Sequence, residues 1–282
     1  MKISAFYENI LEGARYDGVD IKTALAQLKQ DGMEKVYFSY DTLKNDTDGT
    51  IRKMLRELGL EVEGLYGFIR FDRDPVDDSY QGMIDMAVTV NAKNVLIVPG
   101  FITEGEKREE KLLLENMWSG LVNAVQYGEK QGIAVSIEDF DGLDAPYCRV
   151  DGVALFLENV SGLQFSFDTG NFVMYHDDEE EAFELFKDKI CTVHLKDRCR
   201  EKDSVCGIFE KERPYIICAD GEKLCTVPVG DGFIHIKEIL SKLKQKGYDG
   251  GLIAEMYGHS AENMYDAIRK SVKWISETWD AV

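Results

Sequence analysis

The sequence lacks the features that mark exported, membrane-spanning and nucleotide-binding proteins. It shows no basic N-terminal region followed by an apolar stretch of signal length, and no apolar run long enough to cross a bilayer. Neither glycine-rich phosphate-binding pattern, GxGxxG or GxxxxGKS/T, occurs in the chain. These absences predict a cytoplasmic protein that does not hold its ligand through a phosphate loop.

The cysteine pattern gives no support for a disulfide framework. The chain has six cysteines, and none of them forms a CxxC pair; they stand at positions 148, 191, 199, 206, 218 and 225. In a chain of 282 residues this pattern is typical of reduced thiols. Four of them lie between residues 199 and 225 at gaps of 7, 12 and 7, which leaves a zinc site as an alternative.

Positive charge is also scarce. The 33 basic residues are outnumbered by 52 acidic residues, which gives a net charge of −19, and the acidic residues are spread along the chain. Such a field repels phosphate backbones and anionic lipid surfaces. The charge therefore predicts that neither nucleic acid nor a membrane is the partner; solubility alone is the alternative explanation of the charge.

One structural unit repeats through the chain, namely a short apolar run followed by a helical pattern that closes on glycine. For example, Ala24, Leu25 and Leu28 recur at helical spacing and end at Gly32, before the apolar run Val36–Tyr40. Eight such runs are predicted as strands: Lys2–Phe6, Val36–Tyr40, Val62–Tyr66, Val95–Val98, 133–138, 163–168, 190–194 and 252–255.

Strict alternation of strands and helices implies parallel strands, because each helix returns the chain to the same end of the sheet. Eight units in 282 residues predict one α/β domain over residues 1–282, folded as a closed (β/α)8 barrel. An open doubly wound sheet is the alternative. It usually carries a glycine-rich loop after its first strand, whereas Phe6-Tyr-Glu-Asn-Ile10 stands at that position.

Four chemically active side chains follow four of the predicted strands, namely Glu138, Asp168, His194 and Glu255. In a barrel these strand ends open onto one face, where enzymes of this fold keep their sites. A carboxylate removed from water costs several kcal/mol unless it is paired or binds a metal. The pattern therefore predicts one convergent site. Helix capping, pairing with Lys or Arg, and a hydrogen-bonded core histidine remain the structural alternatives.

The motifs around these positions resemble the xylose isomerase-like barrels, which include sugar epimerases, hydroxypyruvate isomerase, inosose isomerase and dehydratase, and endonuclease IV. The similarity runs over nearly the whole chain. It is carried by Ser136-Ile-Glu138-Asp-Phe, Phe167-Asp168-Thr-Gly-Asn171, Val193-His194-Leu-Lys196-Asp197-Arg198, Val227-Pro-Val-Gly230-Asp-Gly232, Gly247-Tyr-Asp-Gly250 and Ile253-Ala-Glu255.

The resemblance implies that Glu138, Asp168, His194 and Glu255 bind one divalent metal ion, Mn²⁺ first, with Co²⁺, Mg²⁺ or Zn²⁺ as alternatives. It also implies that the two glutamates move a proton through an enediolate, which isomerises or epimerises a carbohydrate or a small hydroxy-carbonyl compound. A keto-inositol dehydratase is the enzymatic alternative, and a sugar-binding or partner subunit without turnover is the other. Endonuclease IV is disfavoured because its three-metal site also uses histidines at the ends of the early strands, and strands one to four of this chain end without a histidine.

Five further residues are predicted to bind the substrate: Lys196, Asn171, Arg198, Tyr7 and Glu8. A salt bridge is the alternative for Lys196, and ordinary packing is the alternative for Tyr7. Asn171 stands where several epimerases carry a substrate-binding histidine, so this chain departs from them there. The long connection 197–232 is predicted to contain a small hairpin, from Tyr215 to Val227, and to act as a lid or partner surface. Relatives are often dimers or tetramers, so a homo-oligomer is an open expectation.

Overall fold

The computed structural model describes residues 2–201, 203 and 214–282. The described residues form eleven strands: β1 Lys2–Phe6, β2 Met33–Ser39, β3 Glu61–Phe68, β4 Asn94–Val98, β5 Ala134–Glu138, β6 Gln164–Asp168, β7 Ile190–Leu195, β8 Asp197–Arg200, β9 Ile216–Ile217, β10 Lys223–Val227 and β11 Gly251–Ala254. Eight of them are parallel and form a closed barrel, as the sequence predicted, in the order β1-β11-β7-β6-β5-β4-β3-β2.

Ten α-helices occur in the described part of the chain and surround the barrel. They are α1 Tyr7–Tyr16, α2 Ile21–Gln30, α3 Tyr40–Asn45, α4 Thr50–Leu58, α5 Tyr80–Thr89, α6 Glu110–Gln131, α7 Val150–Asn159, α8 Glu179–Phe186, α9 Ile236–Lys246 and α10 Met264–Ala281. Short 3₁₀-helices span Glu104–Glu109 and Phe172–Tyr175. No helix among these combines the length and the apolar character needed to cross a membrane.

Local chemistry explains where the helices begin and end. The side chain of Asp20 accepts hydrogen bonds from the backbone N–H groups of Lys22 and Thr23, at 3.0 and 3.1 Å, and so starts α2. The helices α6 and α9 end at Gly132 and Gly247, whose φ angles of 71° and 74° lie in the left-handed region that favours glycine. The prediction that these two helices end at glycine is therefore confirmed.

Two helices were not anticipated, α1 and α3, because each begins directly after a strand without a turn residue between them. The α1 helix buries Ile10, Gly13 and Ala14. Ile10 and Ala14 recur at helical spacing, but the helix has only ten residues and no side-chain cap before its first turn, so the usual start signal of a helix is absent.

The connection after β7 forms a second, three-stranded antiparallel sheet in the order β8-β10-β9. Its hairpin pairs β9 with β10, within the segment where the sequence suggested one. The strand β8 was not anticipated; it pairs with β10 so that Arg198 lies opposite Thr226. This sheet begins at Asp197, two residues after the last residue of β7, so it starts at the C-terminal end of the barrel.

The expectation of reduced thiols is wrong at one position, because Cys199 is disulfide-bonded. Cys148, Cys191 and Cys218 are free thiols. The cysteine spacing carries no signal for this bond. The zinc alternative for the four cysteines between 199 and 225 includes Cys206, which lies outside the described residues.

Packing between α1 and α10 generates a stability prediction. A Cβ atom added at Gly13 would lie 2.6 Å from the backbone nitrogen of Tyr265 in α10, whereas one added at Gly105 meets no atom within 4 Å. We expect Gly13→Ala to lower the free energy of unfolding by about 1–3 kcal/mol through overpacking, and Gly105→Ala to change it by less than about 0.5 kcal/mol. Urea unfolding followed by circular dichroism measures both variants; equal midpoints would contradict the close approach of the two helices.

Candidate metal centre

Four side chains converge at the mouth of the barrel. Glu138, Asp168 and His194 lie at the C-terminal ends of β5, β6 and β7, and Glu255 directly follows β11. These four strands are neighbours in the barrel. Each of the four buried residues offers one oxygen or nitrogen atom, and these atoms all lie within 4.8 Å of one another. Parallel strands in a closed barrel bring such ends to one face, so the predicted convergence is present in the structure.

His194 lies at the centre of the group. Its Nδ1 atom is 2.7 Å from Glu138 Oε1 and 3.1 Å from Glu255 Oε2. The rings of Phe6 and Tyr37 pack edge-on against the imidazole, with centroids 5.1 and 5.3 Å away. Burial lowers the pKa of His194, but the charge of Glu138, its hydrogen bond to Nδ1 and the nearby carboxylate of Glu255 outweigh burial and raise it to about 10. The imidazole is thus held with Nδ1 directed at two carboxylates.

Negative charge is crowded in the same space. Burial raises the pKa of Asp168 well above its usual range, and the two neighbouring glutamates add to this effect while Lys196 opposes it. Burial also raises the pKa of Glu138. Asp168 Oδ2 and Glu255 Oε2 are buried and accept no hydrogen bond, although Lys196 and His194 lie within ion-pair distance of them.

These residues fit a divalent metal ion. Three buried carboxylates at one point cost several kcal/mol unless positive charge lies among them, and two of their oxygen atoms lack hydrogen bonds. Three carboxylates with one imidazole are donors that Mn²⁺, Mg²⁺ and Zn²⁺ accept. Within the described residues, the group of Glu138, Asp168, His194 and Glu255 has the geometry of a metal site.

Lys196 is a fully buried cation beside this group. Its Nζ atom lies 2.5 Å from Glu255 Oε1, 3.3 Å from Asp168 Oδ2 and 3.3 Å from Asp141 Oδ2. It also donates a hydrogen bond of 3.1 Å to Asn171 Oδ1. Burial lowers the pKa of Lys196, but the three carboxylates outweigh burial and hold it well above its ordinary value. Burial likewise raises the pKa of Glu255, yet Lys196 and His194 bring it below its ordinary value.

Arg198, on β8, is fully buried and does not line the cavity described below, so its predicted contact with substrate is not seen. Its guanidinium donates to the Gly170 carbonyl at 3.0 Å and to Thr226 Oγ1 at 2.8 Å. It also donates to Asn171 Oδ1 at 3.1 Å and to Asp141 Oδ2 at 3.2 Å. Arg198 therefore positions two polar side chains that themselves reach the cavity.

Two acidic residues of this site were missed by sequence reasoning. Asp139 Oδ1 accepts a hydrogen bond of 2.8 Å from the backbone N–H of Asp168, and the Asn171 amide donates to the Asp139 carbonyl at 2.7 Å. Burial, and then the charge of Asp168, raise the pKa of Asp139 well above its usual range. Asp141 lies two residues further on, in the loop after β5. The available signal was the run Glu-Asp-Phe-Asp directly after a buried strand.

A cavity of about 460 Å³ opens above the four-residue group. Its polar half is lined by Glu138, Asp141, Asn171, Lys196 and Glu255. Its apolar half is lined by Phe6, Tyr66, Phe68, Leu96, Val98, Phe140 and Tyr257. The volume and the mixture of apolar walls with a few polar groups are typical of small-molecule sites.

The structure places neither Tyr7 nor Glu8 in the lining of this cavity. Tyr7 is buried in the core, where its ring stacks on Phe38 with centroids 4.7 Å apart. Glu8 accepts hydrogen bonds from the Ser39 N–H at 3.1 Å and from Thr42 Oγ1 at 2.7 Å. For Tyr7 the reason is strand alternation. Phe6 is the residue of β1 that faces the interior, so the next side chain faces the helices.

Comparisons with known proteins agree with the barrel. The family model described as xylose isomerase-like TIM barrel matches residues 16–278. A solved structure described as IOLI protein with a binding zinc atom superposes with a TM-score of 0.71 at 15% identity, and the match covers 100% of this chain and 99% of that chain. At this level of identity the structural likeness shows the fold alone.

Curated relatives match shorter stretches. An inosose dehydratase from Lacticaseibacillus casei is 32% identical over 116 residues, which are 40% of this chain and 37% of that protein. The L-ribulose-5-phosphate 3-epimerase UlaE from Salmonella paratyphi A is 25% identical over 157 residues, which are 55% of this chain and 48% of that protein. The matches thus span less than half the length of these relatives.

Crowding of carboxylates leads to a prediction about metal binding. We expect Mn²⁺ or Zn²⁺ to raise the thermal unfolding midpoint of the protein, since an ion that binds only the folded state at a hundred times its Kd adds about 2.7 kcal/mol. Asp168→Asn removes one donor but keeps the oxygen that accepts the Gly170 N–H at 2.7 Å. This variant should lose the metal-dependent rise and be at least as stable as wild type in chelator, because one buried negative charge is gone.

Differential scanning fluorimetry with and without metal measures both effects. The matched control is Glu12→Gln, which neutralises an exposed carboxylate on α1 and should keep the full metal response. An equal metal-induced shift in Asp168→Asn and wild type would place the ion elsewhere.

Proposed function

The chain belongs to the xylose isomerase-like TIM barrel family, and on that premise we propose that it is a divalent-metal-dependent isomerase or epimerase of a carbohydrate or small hydroxy-carbonyl compound. The observation that carries the proposal is the juxtaposition of a metal-type donor group with a cavity. The four donor atoms lie within 4.8 Å of one another, and two of the residues, Glu138 and Glu255, also line the cavity.

Glu138, Asp168, His194 and Glu255 would hold the ion, for which Mn²⁺ is our first choice and Co²⁺, Mg²⁺ and Zn²⁺ are alternatives. A divalent cation bound there supplies Lewis acidity, which polarises a substrate carbonyl and lowers the pKa of the adjacent C–H bond. The zinc atom in the IOLI protein structure supports metal binding by a barrel of this shape.

Proton transfer falls to the two glutamates. Glu138 ends β5 and Glu255 directly follows β11. The strands β6 and β7 lie between β5 and β11 in the barrel. In our proposal one carboxylate removes the proton next to the substrate carbonyl, and the other returns a proton to a different face or to the neighbouring carbon through an enediolate. Return to the other face is epimerisation, and return to the neighbouring carbon is isomerisation.

Substrate binding is assigned to groups that reach the cavity. Lys196 and Asn171 line it and present a cation and an amide to substrate oxygen atoms. The aromatic rings of Phe6 and Tyr66 form a wall suited to the C–H face of a sugar ring. Arg198 is assigned a positioning role, since it holds Asn171 from behind.

Dehydration of a keto-inositol is the second candidate, and the inosose dehydratase from Lacticaseibacillus casei favours it. The same two glutamates would serve that reaction. One would remove the proton next to the carbonyl, and the other would protonate the departing hydroxyl group, so that water is lost.

The proposal predicts metal-dependent exchange of a substrate C–H proton with solvent. Metal-loaded protein in D₂O should incorporate deuterium into one member of a panel of ketoses and keto-inositols. Glu255→Gln should lower the exchange rate by about 10²–10⁴-fold, the usual contribution of a positioned acid or base. Mass spectrometry and proton NMR measure the label, and Glu12→Gln should exchange at the wild-type rate.

The outcomes separate the candidates. Loss of water from a keto-inositol would favour the dehydratase. Binding of a sugar without exchange or water loss would leave a non-catalytic sugar-binding protein, and full exchange activity in Glu255→Gln would remove that residue from the chemistry.

A further inference from the structure

We propose that the cavity selects an uncharged carbohydrate over its phosphorylated form, and that Asp141 is the residue that sets this preference. The inference rests on the proposed function, because it names the substrate class of the same site. It adds a residue that lies outside the four-residue metal group and that sequence reasoning did not single out.

Asp141 is a partly exposed carboxylate held at the wall of the cavity by two buried cations. Its side chain is 24% exposed, whereas those of Lys196 and Arg198 are 2% and 0% exposed. Both cations contact the same atom, Oδ2, at 3.3 and 3.2 Å. Asp141 thus faces the ligand space with a carboxylate whose second oxygen can accept a hydrogen bond from a substrate hydroxyl group.

The negative charge of Asp141 is secure at neutral pH. Burial raises the pKa of this carboxyl, but Lys196 and Arg198 outweigh burial and lower it to about 2. A hydroxyl group can donate to such a carboxylate, whereas a phosphate oxygen at the same place would meet it as a like charge.

The positive charges of Lys196 and Arg198 are already balanced by the carboxylates that surround them. Lys196 is the one cation among the described residues that line the cavity, and it contacts the carboxylates of Glu255, Asp168 and Asp141. With Glu138 these make four carboxylates, and Lys196, Arg198 and a divalent ion together neutralise them once His194 gives up its proton to bind that ion as a neutral imidazole. No positive charge in this set is left over for a phosphate group, which carries close to two negative charges at neutral pH.

The apolar side chains that line the cavity have no donor for a phosphate group, and the two tyrosine hydroxyl groups of the lining are hydrogen-bonded to each other at 2.5 Å. Phe6, Leu96 and Val98 come from β1 and β4, and Phe68 at the end of β3 packs edge-on against Phe140 with centroids 6.0 Å apart. These walls suit the C–H groups of an uncharged sugar. A charged group placed against them would lose its hydration without gaining a partner.

The test uses matched pairs of compounds that differ only by phosphate. Deuterium exchange is measured on D-fructose and D-fructose 6-phosphate, and on D-ribulose and D-ribulose 5-phosphate. As a readout that needs no turnover, calorimetry measures binding of D-glucitol and D-glucitol 6-phosphate, with and without metal. We expect wild type to prefer the uncharged member by at least about tenfold in kcat/KM or in Kd, a discrimination of the size that one unpaired like charge produces.

Asp141→Asn keeps the shape and an acceptor oxygen but removes the charge, so the preference should fall about tenfold, mainly because the phosphorylated member binds better. Asp141→Glu keeps the charge and should keep the preference. Preference of wild type for the phosphorylated members overturns the inference without any variant, and so does an unchanged preference in a folded Asp141→Asn. Exchange and binding absent for every compound would instead contradict the proposed function.

Discussion

Burial of several carboxylates at one end of the barrel is the constraint on which the surrounding structure depends. Glu138, Asp168 and Glu255 are buried together, and such charges persist only beside positive charge or hydrogen-bond donors. The protein supplies Lys196 and, behind it, Arg198, both fully buried. A buried guanidinium in turn needs acceptors of its own. The second sheet provides one of them, because pairing of β8 with β10 sets Thr226 opposite Arg198, with Thr226 Oγ1 2.8 Å from the guanidinium. The small three-stranded sheet is therefore part of the electrostatic support of the site.

Closure of the barrel supplies the fourth member of the group. The strand β11 lies between β7 and β1, its Ile253 is paired with His194, and the Glu255 N–H donates to the Leu195 carbonyl at 3.1 Å. Beyond this point the chain is held by α1, since the Met256 N–H donates to the buried Asn9 side chain at 3.0 Å. Strand β7 and the first helix thus hold the backbone at Glu255 and Met256, although Asn9 and Met256 are 247 residues apart along the chain.

The sequence predicted the barrel and the convergent group because both follow from local pattern. Each of the four residues comes at the end of an apolar run, and parallel strands must end on the same face. Tyr7 was misassigned because strand alternation was not applied at the end of β1, where Phe6 takes the inward position. Asp141 was missed for a different reason. It lies on a loop whose path depends on Lys196 and Arg198, which are 55 and 57 residues away in sequence. The acidic run from Glu138 to Asp141 was a signal that an acid lies near the site, but it does not show that such distant partners hold this side chain.

Lys196 links the two ends of the site. The same ammonium contacts Glu255, in the proposed metal group, and Asp141, at the wall of the cavity. Because one cation balances both carboxylates, a change of charge at either alters the field at the other, and the effects of their substitutions should not add. Asn171 links the two buried cations as well, since its amide oxygen accepts hydrogen bonds from both Lys196 and Arg198. The position of the proposed proton-transfer residue Glu255 and the recognition of substrate charge by Asp141 are therefore coupled through Lys196. Both depend on the ammonium group of Lys196, which lowers the pKa values of Glu255 and Asp141 and contacts both carboxylates.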